Sequence, residues 1–138
     1  MKYIDWFIAH AKKHRAIVAS LRGRSQEEIV EYFDYDKMRR NEPDFCPLYA
    51  QSSKCHDMKN LNCYMCGCPH FRFDDKGIEI KEGRVVYSYC VKNLGDKFVS
   101  DSAIHHDCSN CTLPHTKKFA KDNFSLDWFE IMDSVFKK

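Results

Sequence analysis

Cysteine is the residue type around which chemistry can be built in this chain. There are eight, Cys46, Cys55, Cys63, Cys66, Cys68, Cys90, Cys108 and Cys111. Disulfide linkage accounts for them poorly. Cys63-x-x-Cys66-x-Cys68 crowds three sulfurs into six residues, and near neighbours seldom satisfy disulfide geometry. The opening residues, Met1-Lys2-Tyr3-Ile4-Asp5-Trp6, show no basic segment leading into a long apolar run. No secretory leader is read, and a reducing, cytoplasmic setting is expected. In that setting clustered cysteines point to metal or redox chemistry.

The spacing favours metal. A C-x-x-C turn sets two sulfurs on one side of a tight loop, at a separation suited to a tetrahedral ion. Cys63-x-x-Cys66 and Cys108-x-x-Cys111 are two such turns, and together they would supply a closed four-thiolate zinc site. Cys46, Cys55, Cys68 and Cys90 could complete a second site, with His56, His70 or His115 replacing or supplementing some of them. Adjacent side chains diverge, so Cys55 and His56 are expected to serve different ions, or only one of them to bind. Cys66 and Cys68 could also face different ions, which would place the sites close together.

Two Zn²⁺ ions are expected. Eight thiolates remove eight charges and two Zn²⁺ restore four, so the formal +2 becomes −2. The apparent basicity is then no argument for nucleic acid. Four thiolates also hold iron–sulfur clusters. However, C-x-x-C-x-C is not the C-x-x-C-x-x-C of a ferredoxin run, and histidines among the cysteines suit zinc better.

Four strings in the chain, Cys46, Cys55-His56, Asn62-Cys63-x-x-Cys66-x-Cys68-Pro69 and Asp107-Cys108-Ser109-x-Cys111-x-x-Pro114-His115, resemble the prokaryotic cysteine-rich small domain, a zinc-finger-like family. The resemblance covers about residues 45–119. It implies metal binding through Cys46, Cys55, His56, Cys63, Cys66, Cys68, Cys90, Cys108, Cys111 and His115. Some members of that family are associated with cobalamin-pathway proteins. Cys90 lacks the Gly-Gly expected beside the corresponding family cysteine, His70 falls outside the pattern, and the stretch from Cys68 to Cys108 is long for the family.

The elements that must position these residues are short. Residues 3–21 read as an amphipathic helix whose apolar arc carries Tyr3, Ile4, Phe7, Ile8, Ala11, Val18 and Leu21. His10 and His14 fall within that arc and read as partly buried at a helix boundary. Gly23 ends the helix, and Ser25-Gln26-Glu27-Glu28 is a capping box opening a second one over about 26–38. Phe71-Arg72-Phe73 and Ile78-Glu79-Ile80 flank Asp74-Asp75-Lys76-Gly77 as a hairpin, and 85–89 reads as a further strand. His105-His106 read as a solvated loop. Asn123 or Ser125 would cap a last helix to about Phe136, with Leu126, Trp128, Phe129, Met132, Val135 and Phe136 on its apolar side. The fold class is α+β: one domain over 1–138, with helical 1–44, a metal-binding core at 45–119 carrying a short antiparallel sheet, and a C-terminal helix.

Composition bounds the function. Hydrophobic residues make up 43% and charged residues 30% of 138, a globular balance with no apolar run of membrane-spanning length. No H-E-x-x-H, deaminase, P-loop or nucleotide-binding glycine signature is present. The expected role is an accessory module in metal homeostasis or protein interaction, with metal ions and a protein as partners. Nucleic-acid binding is the first alternative, because six of the first 24 residues are Lys or Arg. Thiol redox or sulfur-transfer chemistry is the second.

Overall fold

The structure is a computed structural model, and it describes residues 2–136. Helix α1, Tyr3–Ser20, buries Phe7, His10, Ala11, His14 and Ile17. Their spacing is one face of an α-helix. The buried stripe runs through both histidines and leaves Ile8 exposed, so the arc is rotated from the expected one. Helix α2, Gln26–Tyr32, begins at the Ser25–Glu28 capping box, with both reciprocal bonds formed.

The second expected helix is broken in two. Asp34 adopts an extended conformation, and α3, Tyr35–Asn41, follows it. Tertiary bonds override the local pattern there. Asp34 bridges to Asn62, Tyr35 N–H donates to the Leu61 carbonyl at 3.0 Å, and Cys63 N–H donates to the Phe33 carbonyl at 2.7 Å. The Asp34 carboxylate accepts from Asn62 Nδ2 at 2.9 Å and pairs with Lys117 at 3.0 Å. The chain thereby exchanges one helical turn for a seam that holds the first knuckle.

The strands form two sheets. Strand β1, Phe71–Phe73, pairs antiparallel with β4, Ser88–Cys90, with Phe71 opposite Cys90. The expected hairpin between 71–73 and 78–80 does not form. Instead β2, Glu79–Lys81, turns back onto β3, Arg84–Val86. The expected single strand at 85–89 is divided at Tyr87, and its halves enter different sheets. Strand β6, Ala103–Asp107, lies parallel to β3 and antiparallel to β5, Asp96–Val99, giving the order β2-β3-β6-β5. The larger sheet is therefore mixed. His105 and His106 lie in β6 and not in a loop.

The expected C-terminal helix is also subdivided. Thr116 caps α4, Lys117–Asp122, and Asp127, not Asn123 or Ser125, caps α5, Trp128–Ile131. A 3₁₀ turn follows at Asp133–Phe136. Trp128, Met132 and Val135 are buried, while Leu126 and Phe129 are exposed. The core joins α1, α2 and α5 to the segment Leu61–Met65 through Phe7, Val30, Phe33, Tyr64 and Trp128. Architecture and class are α+β. Among the described residues, no helix is long and apolar enough to cross a membrane.

Candidate metal centre

The eight thiols separate into two groups, and the two knuckles fall in different ones. Cys46, Cys55, Cys63 and Cys66 interact electrostatically with one another. Cys68 and Cys108 interact with each other and each with Cys90 and Cys111, and all four line one cavity. The four-thiolate set expected from pairing the knuckles is not the one the fold brings together. Only Gly67 separates Cys66 of the first group from Cys68 of the second. Cys66 carries a φ of +40°, a region few side chains adopt, and this turns the chain between the groups. The knuckle rests on α5. Trp128 Nε1–H donates to the Met65 carbonyl at 2.5 Å, and a Cβ on Gly67 would lie 3.1 Å from Met132 Cε.

Asn62 sets the first knuckle in place. Its amide donates to the carbonyl of Val30 at 2.7 Å and to Asp34, and its Oδ1 accepts from Tyr64 N–H at 2.9 Å. Its backbone N–H donates to the His115 carbonyl at 2.9 Å, and its own carbonyl accepts from His115 Nδ1 at 3.3 Å. The residue is 1% exposed with its polar groups engaged. Sequence reading found it only as part of a resembling string.

Around Cys55 the donor atoms converge most closely. Among the described residues, Cys55, His56 and His115 are the set whose possible ligand atoms all lie within 4.8 Å of one another. His56 Nδ1 is 3.2 Å and His115 Nε2 3.7 Å from Cys55 Sγ. The expectation that Cys55 and His56 would diverge is overturned. These residues sit in a bend after Ser52, whose φ is +52°, and not in a strand, so adjacent side chains reach the same point. A carbonyl oxygen only accepts. His56 Nε2 must therefore carry the proton it donates to the Cys108 carbonyl at 2.9 Å, and His115 Nδ1 the one donated to Asn62. The remaining ring nitrogen of each histidine faces Cys55. Burial, then His56, pushes the His115 pKa down to about 4, so its imidazole is neutral at neutral pH.

Burial acts on the thiols in the other direction. It raises the pKa of Cys63 to about 12, of Cys68 and Cys108 to about 11, and of Cys66 well above the usual value. Cys55 is raised as well, again by burial first. Nearby backbone N–H groups oppose part of the rise at Cys68, and the Phe71 N–H itself donates to the Cys68 carbonyl at 3.0 Å. The Tyr49 hydroxyl is buried beside the Cys63 thiol.

The second group hangs on the sheets. Strand β4 ends at Cys90, and β6 delivers Cys108. The Asp107 carboxylate accepts from Ser109 N–H at 2.9 Å, and Cys111 N–H donates to the Cys108 carbonyl at 3.0 Å, closing the second knuckle. His70 stands outside both groups, its ring edge-on to Phe119. His10 and His14 lie in the helical core, away from the thiols. His10 stacks on Trp6, and His14 shares a 3.0 Å hydrogen bond with the Tyr64 carbonyl.

No family model, no curated protein and no solved structure matches the chain.

Proposed function

We propose that this chain is a zinc-binding protein of the cysteine-rich small domain type, an accessory module in metal homeostasis or protein interaction that binds two Zn²⁺. The observation that carries the reading is the convergence of two imidazole nitrogens on Cys55 Sγ, each ring being anchored to a backbone carbonyl through its other nitrogen. Metal-ligating histidines characteristically carry such an outer partner, which fixes tautomer and orientation. Zn²⁺ accepts mixed sulfur and nitrogen donors, and Cys46, Cys63 or Cys66 would supply the fourth.

Each displaced thiol pKa is displaced upward by burial, so these thiols lack the lowered acidity of a reactive redox cysteine, and a metal ligand among them would lose its proton on binding. The basic start of α1 gives nucleic acid little support. Lys13 donates to the Asp44 carbonyl at 3.0 Å, and Arg15 pairs with Asp127 at 3.5 Å.

The test is the metal content of protein purified without added metal. Two Zn²⁺ per chain are expected in a colourless protein. His56→Ala and His115→Ala should each weaken one of the two ions by roughly tenfold or more. Less than one metal of any kind per folded chain would defeat the reading. A brown protein with matching iron and sulfide would move it to a cluster.

A further inference from the structure

The structure carries one observation that the pair of histidines at Cys55 does not use. The second thiol group lines a small cavity of about 30 Å³, together with His106. Phe71, Leu94 and Leu113 supply apolar wall, and the four cysteines are half-buried. His106 enters this wall from β6, where its backbone N–H donates to Ser88 Oγ at 2.7 Å. That bond and the pairing with Lys97 fix its place on the strand. Its Nδ1 is buried with no hydrogen-bond partner. An imidazole nitrogen stranded in an apolar wall costs free energy unless something in the cavity engages it.

A close backbone approach marks the same spot. Gly95 has a φ of +73°, and a Cβ there would lie 2.9 Å from the Asp107 carbonyl oxygen, 3.2 Å from His106 Nε2 and 3.7 Å from Cys111 Cβ. The loop before β5 is therefore drawn tightly over His106 and the knuckle.

We propose that this cavity is a self-contained site for a single thiophilic divalent cation, held by Cys68, Cys90, Cys108 and Cys111, with His106 donating its Nδ1–H to one of the four thiolates. The inference rests on the reading of the chain as a metal-binding protein. It assigns ligands to the second ion and gives a role to a histidine that the sequence places among solvated residues. Four thiolates around one divalent ion leave a charge of −2 in an apolar wall. A donor that shares this charge, as the unpartnered His106 Nδ1 can, is what such a site requires. His106 is a positioning residue here and not a ligand, so the ion sees sulfur alone. The Cys55 set, in contrast, offers nitrogen. The two ions thus differ in kind, with a mixed shell at the first site and an all-sulfur shell at the second.

The experiment uses the full chain, with Zn²⁺ for counting and Co²⁺ as a spectroscopic probe. Cys68→Ser and Cys90→Ser should each bind one ion fewer than the wild type. The ion left in His115→Ala, read with Co²⁺, should show the charge-transfer and ligand-field spectrum of an all-sulfur tetrahedral site. His106→Leu should weaken that ion about 10- to 100-fold with the all-sulfur spectrum unchanged. His106→Asn, whose amide nitrogen stands near the Nδ1 position, should recover most of the affinity. A mixed sulfur–nitrogen spectrum would overturn the proposal, as would unchanged affinity in His106→Leu or full metal content in both cysteine variants. The spectrum and the His106 variants decide the matter even if a serine variant fails to fold. A wild type with no metal would instead sink the metal-binding reading itself.

Discussion

His10 and His14 are neutral inside the protein, and that makes stability depend on pH. Burial pushes His10 down to about 3, with His14 and Lys13 adding to the effect, and pushes His14 down to about 4, partly opposed by its bond to Tyr64. Unfolded, each would titrate near 6.5. Between about pH 6.5 and these lower values, the unfolded chain binds protons that the folded one does not. Stability is therefore full above 6.5 and is lost as pH falls through that window, by up to a few kcal/mol per histidine. Urea unfolding of metal-free protein at pH 7.5 and 5 should show the loss, and His10→Phe should show a smaller one. An equal loss in the variant would refute the account. The sequence placed both histidines on the apolar face of α1, so their burial was legible. The role of Asn62 was not. Its bonds run to Val30, Asp34, Tyr64 and His115, and no local pattern in Asn62-Cys63 encodes partners about 30 and 50 residues away.

At the level of elements, what was legible was local. The α1 stripe, the capping box and both C-x-x-C turns arise from neighbouring residues. The break at Asp34, the pairing of β1 with β4 and the parallel contact of β3 with β6 arise from distant contacts, and the short strands carry too little alternation to choose a partner. The assignment of knuckles to separate thiol groups follows from those pairings, which is why the spacing alone suggested a different set. Gly95 shows how tightly one connection is drawn. Gly95→Ala must hold a side chain at φ +73° against the Asp107 carbonyl, which cannot yield without disturbing the β5–β6 pair. A destabilisation of about 1–3 kcal/mol is expected from thermal unfolding. Gly83, with φ +79° and open space around its Cβ position, should cost less when changed to Ala. The reverse order would contradict this reading of the loop.

Across the whole molecule, the two thiol groups have unequal support. Cys63, Tyr64 and Met65 belong to the main core with α1, α2 and α5. The four-stranded sheet lies outside it, with Ile80, Phe98 and Val99 exposed and Val86 its one buried hydrophobic residue among those described. Removing metal with a chelator should therefore loosen the sheet more than the core. Hydrogen exchange should rise sharply over residues 84–111 and less over 61–65. Uniform loss of protection would mean that the helical core also depends on the ions. The bond from Trp128 to the Met65 carbonyl has an optical consequence. An indole whose N–H is tied to the backbone of the first knuckle, and whose ring lies against Gly67 between the two groups, has its excited state tuned by the very turn that an ion would tighten. The chain thus carries its own fluorophore at the junction of the two thiol groups. With Trp6 replaced by Phe, ultraviolet emission from this single ring would report filling and emptying in real time, with no added dye.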